Sequence, residues 1–252
     1  MGFDVAAEAY DRFMGRYASL LAPQLAELAG IAHGERVLDV GCGPGALIGE
    51  LVARVGAENV AAVDPSQPFV SAARARNPGV DVHLASAEDL PFEDGRFAAT
   101  LAQLVVHFMA DAEAGLREMR RVTAPGGTVA ASVWDFAGSR SPLSVFWDAA
   151  LELNPSAGDE SGYAGARRGH LVELFGAAGL RDVEESELRV ARRHDSFEEW
   201  WAPFEGGVGP AGGHLAKLDH EGRAQIRERC RELLPPAPFT LECVAWAARG
   251  TA

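Results

Sequence analysis

The chain has 252 residues, and nearly half of them are apolar. A chain of this length and composition folds as one large α/β domain, or as a core with a smaller appendage, and is not disordered. Its formal net charge of −13 argues against nucleic acid and anionic membrane surfaces as partners, because both are bound mainly through Lys and Arg.

Targeting segments and cysteine-based sites are not expected either. The N-terminus carries acidic residues where a signal peptide has a basic region, and no apolar run reaches the roughly 18 residues of a membrane helix. Cys42, Cys230 and Cys243 are far apart, so they predict neither a disulfide framework nor a zinc site. We therefore expect a soluble cytoplasmic protein.

Short β-rich runs alternate with helical patterns through the first half of the chain. The expected strands are Arg36–Val40, Asn59–Val63, Val80–Leu84, Phe97–Val105 and Thr128–Trp134, and the expected helices are Ala46–Val55, Gln67–Arg76 and Asp111–Val122. This alternation predicts parallel βαβ units in an open sheet with helices on both faces. Ligands of such sheets bind at the carboxyl ends of the strands.

The second half is less regular. The expected elements are helices over Leu143–Leu153 and Arg168–Ala178, a strand over Arg181–Val190, an aromatic-rich helical segment over Ser196–Phe204, a separating Gly/Pro stretch over Gly206–Gly213, an amphipathic helix over roughly His214–Leu234 and a last strand over Phe239–Ala248. Residues 195–236 are thus expected to be a helical insertion between the last two strands.

The stretch VLDVGCGPGA, residues 37–46, places three glycines directly after an expected strand. It fits the dinucleotide fingerprint G-x-G-x-x-G/A, and Asp64 lies nineteen residues after its last glycine, about where an acid would bind a ribose. An NAD-dependent oxidoreductase therefore remains an alternative. Asp39 argues for another ligand, because it stands where dinucleotide sites normally keep an apolar residue.

Four segments in order, VLDVGCGPG, VAAVDPS, SAEDLPFEDGRFA and LREMRRVTAPGGTVAAS, resemble the class I S-adenosylmethionine-dependent methyltransferases. The likeness is to the small-molecule branch that includes the ubiquinone and menaquinone biosynthesis enzymes. It covers roughly residues 35 to 135 and, more weakly, the N-terminal YDRFMGRYASLLAP. A single domain over residues 1–252 is implied, with a three-layer, doubly wound, Rossmann-like fold. Its seven-stranded sheet would be mostly parallel, with an antiparallel last strand.

The resemblance also implies a reaction. The enzyme would transfer a methyl group from S-adenosylmethionine to a small apolar or aromatic acceptor by in-line displacement, leaving S-adenosylhomocysteine. No carboxylate set like that of the metal-dependent catechol enzymes is present, so no metal is expected. A relative that binds the cofactor without catalysis is a second alternative. The acceptor stays unidentified, and the oligomeric state stays open between monomer and homodimer.

Cofactor-binding residues follow from the same resemblance. Gly41, Cys42 and Gly43 would line the methionyl part, and Asp64 would accept hydrogen bonds from both ribose hydroxyls, which suits a carboxylate. Asp39 would orient the loop and meet the amino group of the cofactor. Its alternative role is to cap the glycine turn.

The adenine side departs from the family pattern. Ala87 and Glu88 would flank the adenine, but Ser86 stands where the family often has an acid. Recognition of the adenine amino group is therefore left open between Ser86 and Glu88. Pro65 replaces a residue that is frequently larger and apolar, so it would contact adenine on a smaller surface.

Further candidates lie after the fourth strand and near the N-terminus. Gln103 and His107 fall where the family contacts cofactor and substrate, although Gln103 could simply end a strand and His107 could cap a helix. The catalytic residue is unknown, and His107 is its one candidate. Tyr10 and Arg16 belong to an expected helical cover over residues 1–30, in which the Arg would meet the methionine carboxylate; an ordinary surface helix is the alternative.

The acceptor side is expected between the N-terminal cover, residues 134–147 and the insertion. Phe197, Trp200, Trp201 and Phe204 have the spacing of one apolar helix face. With Trp134, the last three would form an aromatic lid over the acceptor, with cation–π help for the sulfonium. Their alternative role is to be the packing core of the insertion itself.

Overall fold

A computed structural model of the chain describes residues 7–252. Its seven-stranded sheet has the order β3-β2-β1-β4-β5-β7-β6. The strands are β1 (Val37–Val40), β2 (Val60–Asp64), β3 (Asp81–Leu84), β4 (Phe97–Gln103), β5 (Thr123–Trp134), β6 (Arg181–His194) and β7 (Phe239–Thr251). Strands β1 to β5 pair in parallel, whereas β7 runs antiparallel to both of its neighbours. The expected α/β fold with an antiparallel last strand is confirmed.

Helices cover the sheet, and two of them precede its first strand in the chain. The helices are α1 (Ala7–Tyr10), α2 (Arg16–Ala29), α3 (Ala46–Val55), α4 (Gln67–Arg76), α5 (Ala112–Val122), α6 (Ser144–Leu153), α7 (His170–Ala177), α8 (Phe197–Trp201), α9 (Gly209–Lys217) and α10 (His220–Leu233). A π-helical turn over Asp11–Gly15 joins α1 to α2, and short 3₁₀ helices cover Ala57–Asn59, Val106–Phe108 and Ala202–Gly206. Of these, α2 packs against α3, and α5 packs against α7.

The central strands read as continuous apolar runs because they are covered on both faces. Every residue of β1 and β2 is buried, including the acidic residues Asp39 and Asp64 near their carboxyl ends. The two carboxyl groups are thus buried because the strands that carry them are buried. In the register of β1 with β2, Asp39 lies opposite Ala62, two residues before Asp64. Within the described part of the chain, no helix is both long and apolar enough to cross a membrane.

The insertion differs from its expected layout. The Gly/Pro stretch does not only separate two elements, because α9 begins inside it at Gly209 with Pro210 in its first turn. Proline suits that position, since the first-turn N–H groups have no helical partner. The prediction of a single amphipathic helix over 214–234 is also wrong. The helix is interrupted between Lys217, where α9 ends, and His220, where α10 begins. Asp219 caps α10 by accepting from Gly222 N at 2.8 Å.

Strand β5 begins earlier than expected. The strand was expected to begin at Thr128, after the segment TAPGG, but Thr123 already pairs with Phe97 across the sheet before the register shifts. Gly127 fits this crowded place because an added Cβ would lie 2.5 Å from the Ala98 carbonyl oxygen. Local turn residues therefore did not stop the strand, since its pairing is decided by β4.

Candidate active site

The glycine turn after β1 is fixed to the neighbouring strand by its backbone. Gly41 N and Cys42 N both donate to the Val63 carbonyl oxygen, at 2.8 and 2.9 Å. Gly41 has φ +70°, and an added Cβ would lie 2.4 Å from a methyl carbon of Val105. Both the left-handed backbone and this close approach require glycine here.

Asp64 holds the other end of the same turn. Its Oδ2 accepts from Gly43 N and its Oδ1 accepts from Ser66 N, each at 2.8 Å. Burial raises the pKa of Asp64, while these two donors oppose that rise. An ionised carboxylate has about four acceptor sites, so Asp64 can still accept hydrogen bonds from a ligand. The residue that caps the glycine turn is therefore Asp64.

Asp39 lies beneath the turn without a partner. It is 1% exposed, and neither carboxylate oxygen has a hydrogen bond from the described residues. Burial, and then the charge of Asp64, raise its pKa to about 8. Buried polar groups are normally hydrogen-bonded, so an unpartnered carboxyl at the end of a central strand fits a ligand that brings a donor or a positive charge.

A cavity of about 360 Å³ lies over this turn, a size in the range of small-molecule sites. We call it the glycine-turn cavity. Its lining is Tyr10, Gly41, Gly43, Asp64, Pro65, Ser66, Gln67, Pro68, Phe69, Gln103, Leu104, Val105 and Phe108. This lining contains an acid and no Lys, Arg or His, and its electrostatics therefore favour a neutral or cationic ligand over a phosphate.

Six of the residues expected from the sequence line this cavity, namely Tyr10, Gly41, Gly43, Asp64, Pro65 and Gln103. The Tyr10 ring stands edge-on to Phe69 at 5.3 Å, and burial raises its pKa. Gln103 donates through Nε2 to the Ala18 carbonyl oxygen at 3.0 Å, while its buried Oε1 has no partner among residues 7–252. Gln103 thus connects the end of β4 to α2 and keeps one acceptor unused.

Other expected residues lie elsewhere. Ser86, Ala87, Glu88, Arg16, Cys42, His107 and Asp39 are not part of this lining, although Asp39 and Cys42 lie in the strand and turn beneath it. Glu88 is engaged by the loop before α5, where its Oε1 accepts from Ala110 N at 2.7 Å and from Asp111 N at 3.3 Å. In this conformation Glu88 serves to position that loop.

Arg16 points to the insertion. It donates to the carbonyl oxygens of Glu199 at 3.2 Å and Trp200 at 3.5 Å, and its guanidinium lies 5.3 Å from the centre of the Tyr17 ring. Burial lowers its pKa. The side chain expected to meet the methionine carboxylate therefore joins α2 to α8 in this structure.

The sequence did not single out the residues just beyond two strand ends. Ser66 to Phe69 follow Asp64, and Leu104, Val105 and Phe108 follow Gln103, and all of them line the cavity. The available signal was position alone, because the carboxyl ends of neighbouring parallel strands face one ligand site.

A second cavity adjoins the first and is much smaller, about 30 Å³. It is lined by Tyr10, Phe13, Met14, Leu104, His107, Phe108, Trp134, Phe136, Leu143, Glu160, Val208, Gly209 and Pro210. Tyr10, Leu104 and Phe108 belong to both cavities. The two spaces therefore lie next to each other and share part of their lining.

His107 belongs to the second cavity. It is 7% exposed, its ring centre lies 5.6 Å from that of Phe136, and its buried Nδ1 has no partner among the described residues. Burial lowers its pKa to about 3, so the imidazole is neutral at physiological pH. A ring of such low basicity can form a hydrogen bond but is a poor proton acceptor.

Glu160 is a second buried polar group here, and sequence reasoning missed it. It lies in the irregular segment between α6 and α7 and is 1% exposed. Its Oε2 accepts from Trp147 Nε1 at 2.8 Å, and burial raises its pKa to about 7. No motif marks this residue in the sequence, because only the path of the loop brings it to the cavity.

The expected lid residues are all buried. Trp134 lines the second cavity, and its Nε1 contacts Met14 Sδ at 3.2 Å. Trp200, Trp201 and Phe204 line neither cavity. The aromatic core of the insertion includes ring pairs Trp200–Phe204 at 4.9 Å, Phe146–Phe204 at 5.0 Å and Phe13–Phe204 at 5.3 Å. These rings join the insertion to α6 and to the N-terminal segment.

Comparison with known proteins defines the class of this fold and site. Residues 38–131 match the family described as a methyltransferase domain. The chain is 32% identical over 193 residues to an uncharacterized protein of Mycobacterium tuberculosis, covering 73% of this chain and 70% of that protein. It is 34% identical over 145 residues to a malonyl-[acyl-carrier protein] O-methyltransferase of Erwinia billingiae, covering 58% of this chain. The matched region spans 56% of that relative's own length.

A solved structure extends the likeness to the whole fold. Geranyl diphosphate C-methyltransferase from Streptomyces coelicolor, solved with Mg²⁺, geranyl diphosphate and S-adenosylhomocysteine, superposes with a TM-score of 0.56 at 16% identity. The superposition covers 94% of this chain and 80% of that one. The chain belongs to the class I S-adenosylmethionine-dependent methyltransferases, and its cofactor is S-adenosylmethionine. The comparisons give no support to the dinucleotide alternative.

The residues present fit this cofactor. S-adenosylmethionine carries an ammonium, a sulfonium, a carboxylate and a ribose diol, so its net charge is positive, and it has no phosphate. The unpartnered carboxyl of Asp39 fits a cationic group, and the spare acceptor sites of Asp64 fit a diol. A cavity lining without Lys, Arg or His is consistent with the same charge.

Proposed function

We propose that this methyltransferase acts on a small, largely apolar acceptor that enters the second cavity while S-adenosylmethionine occupies the glycine-turn cavity. One observation carries the proposal: Tyr10, Leu104 and Phe108 line both cavities. Donor and acceptor would thus occupy adjacent spaces. In-line transfer requires direct contact between the acceptor atom and the methyl carbon, so these shared side chains would move apart when both molecules are bound.

The expected cofactor-binding residues in and beneath the glycine-turn cavity have defined parts in this proposal. Asp39 attracts the ammonium, Asp64 accepts from the ribose hydroxyls, and Gly41 and Gly43 admit the backbone close to the methionyl part. Pro65 contacts the adenine. The cofactor supplies an activated methyl group, so the chain has mainly to position the acceptor and exclude water, which can supply about 7–11 kcal/mol of a barrier.

The acceptor class follows from the walls of the second cavity. Phe13, Met14, Trp134, Phe136 and Leu143 present apolar or aromatic surface. About 30 Å³ is close to the volume of a single water molecule, so admission of an acceptor requires one wall to move.

The segment around Gly209 is the wall that we propose to move. Gly209 and Pro210 line the second cavity and also a cleft of about 520 Å³. Gly207 and Gly209 both have positive φ, +69° and +65°, on either side of Val208. Displacement of this short segment would join the cleft to the cavity, which makes residues 195–236 the lid of the site.

The N-terminal cover contributes the opposite wall. The segment from α1 to α2 places Tyr10, Phe13 and Met14 over the two cavities. Residues 1–6 of the cover expected over 1–30 lie outside the described part of the chain. We propose that this cover and the lid enclose the acceptor together, as parts of one domain.

Calorimetry with S-adenosylhomocysteine and with NADH tests the cofactor assignment. We expect binding of S-adenosylhomocysteine and none of NADH, and binding of NADH alone would contradict the proposal. Methyl transfer from labelled S-adenosylmethionine is then measured over a panel of apolar alcohols, phenols, amines and carbon acids. Tight binding without any transfer would favour the alternative of a cofactor-binding protein without catalysis.

The moving segment is tested with one variant in the segment and one control in the aromatic core of the insertion. The control is Trp201→Phe, which keeps an aromatic ring but removes the hydrogen bond from Nε1 to Glu205 Oε1 at 3.0 Å. Unchanged turnover is expected for this control, because the ring only packs the insertion. Gly207→Ala opposes the positive φ directly and should slow turnover. Equal turnover in both variants and the wild type would remove the moving-segment proposal.

A further inference from the structure

Glu160 is a carboxyl group placed in an otherwise largely apolar cavity. Trp147 Nε1 is its one hydrogen-bond donor among residues 7–252. Withdrawing a carboxylate from water costs several kcal/mol, and a single neutral indole N–H does not offset that cost. A merely structural partner for Trp147 could be a neutral amide, which would be cheaper to bury.

The groups that face Glu160 do not neutralise it. Asp159 and Tyr163 come from its own loop, and the acid raises the pKa of Glu160 further. His107 and Tyr10 line the same cavity from β4's end and from the N-terminal segment, and His107 is uncharged. None of these four groups is a cation, so the acceptor capacity of Glu160 is left for a ligand.

A second indole–carboxylate pair in the same molecule provides a contrast. Trp201 Nε1 donates to Glu205 Oε1 at 3.0 Å, but Glu205 is exposed and lines neither cavity described above. Pairing with an indole therefore does not require a carboxylate to be buried. The burial of Glu160 is a consequence of its place in the cavity wall.

We propose that Glu160 binds the acceptor through a neutral O–H or N–H group and receives the proton of that group during transfer. The inference rests on the proposed function and narrows its acceptor class to apolar molecules with such a donor. As the acceptor oxygen or nitrogen gains the methyl group, its proton passes to the Glu160 carboxylate. The sulfur keeps the electron pair of the broken S–CH₃ bond, and Glu160 later releases the proton to solvent.

The assignment predicts a specific role for His107. Its buried Nδ1 lies in the same cavity without a partner and is neutral, so it can share a hydrogen bond with the acceptor but does not compete for its proton. Glu160 is the catalytic residue of the pair, and His107 is a binding residue.

The first experiment uses the Trp147 indole N–H as a reporter of Glu160. In ¹⁵N-labelled protein, this resonance is assigned by its absence in Trp147→Phe. We expect it to shift with pH at a midpoint of about 7, and the shift should disappear in Glu160→Gln, which keeps an oxygen acceptor for the indole. Glu205→Gln is the matched control and should leave the midpoint unchanged. A Trp147 signal that does not titrate, or titrates equally in Glu160→Gln, overturns the proposal.

The second experiment uses phenol as a probe, with anisole as its counterpart lacking the O–H, both in the presence of S-adenosylhomocysteine. We expect phenol, and not anisole, to shift the Trp147 signal. Glu160→Gln should weaken phenol binding roughly 5- to 10-fold, the difference between a hydrogen bond to a charged acceptor and one to a neutral acceptor, and Glu205→Gln should not.

The outcomes separate this inference from the proposed function. Absence of S-adenosylhomocysteine binding in the wild type contradicts the proposed function. Normal S-adenosylhomocysteine binding with no response to phenol, or with equal phenol affinity in Glu160→Gln, overturns the role of Glu160 alone. Loss of S-adenosylhomocysteine affinity in Glu160→Gln would assign the residue to folding and also overturn the proposal.

Discussion

The two cavities of this protein differ in how they are built. The glycine-turn cavity, about 360 Å³, is formed largely at the carboxyl ends of β1, β2 and β4. The second cavity, about 30 Å³, is assembled from the N-terminal segment, two strand ends, the loop containing Glu160 and the insertion. The core of the fold therefore forms the cavity proposed for the cofactor, whereas the cavity proposed for the acceptor depends on parts added around that core.

Their buried carboxyl groups show the same contrast. Asp39 lies on a central strand beside Asp64, which adds to the rise of its pKa to about 8. Glu160 lies on a loop and has Trp147 as its donor. The position of Asp39 is decided by strand register, and that of Glu160 by a loop that has no regular structure. Changes to the first cavity should thus affect cofactor binding, and changes to the second should spare it.

The largest effect is expected for Gly41→Ala. The substitution combines φ +70° with a Cβ 2.4 Å from Val105, so the turn must shift. We expect at least about 100-fold weaker S-adenosylhomocysteine binding, since a shift costs about 1–3 kcal/mol for overpacking plus the backbone strain. Calorimetry measures it. Gly49→Ala is the control, because an added Cβ there meets no neighbouring element within 4 Å. Unchanged affinity in Gly41→Ala would contradict the preformed turn.

Asp39→Asn should weaken S-adenosylhomocysteine binding about 10-fold to 100-fold, the loss of one charge-assisted contact. The same variant should raise the Tm of the ligand-free protein above about pH 4, by an amount that grows up to about pH 8. The folded state holds a proton on Asp39 up to about pH 8 that the unfolded chain has already released, so the wild type loses stability as pH rises towards that value. Thermal unfolding with and without ligand checks both signs, and a lower ligand-free Tm would refute the account.

The pH dependence of binding is the third expectation. A cationic ammonium needs ionised Asp39, whose pKa is about 8 in the free protein, so binding below that pH must release a proton. S-adenosylhomocysteine affinity should rise by up to about tenfold per pH unit between about pH 6 and pH 8 and then level off. The dependence should flatten in Asp39→Asn, and a wild-type affinity independent of pH would show that Asp39 does not meet the ammonium.

The smallest effect is expected for Gly209→Ala in the lid. Its φ of +65° disfavours alanine, while the nearest atom to an added Cβ is Phe13 Cε1 at 3.7 Å, so strain and not a clash decides the result. We expect a loss of about 1 kcal/mol in the free energy of unfolding and slower methyl transfer, with S-adenosylhomocysteine affinity unchanged. Gly206→Ala, without a positive φ, should change neither. Weaker cofactor binding in Gly209→Ala would mean that the two cavities are not independent.

Elements with strong local signals were predictable from the sequence. Helices α3 and α4 have the bounds that the sequence pattern predicted, Ala46–Val55 and Gln67–Arg76. Asp64, Gly41 and Gly43 line the glycine-turn cavity, as predicted from their place at the carboxyl ends of neighbouring parallel strands, where such sheets bind their ligands. The insertion was less predictable, since α9 starts within a glycine-rich stretch and packs against the aromatic residues of α6 through His214.

The sequence by itself determined the α/β class, the glycine turn and the resemblance that points to S-adenosylmethionine, because these depend on short-range pattern and on motifs that follow strands. Only the tertiary structure decided that Asp64 caps the turn, that Arg16 contacts α8, and that Glu160 faces the second cavity. Such contacts join residues far apart in the chain. They follow from strand register and the path of loops, which no local sequence signal specifies.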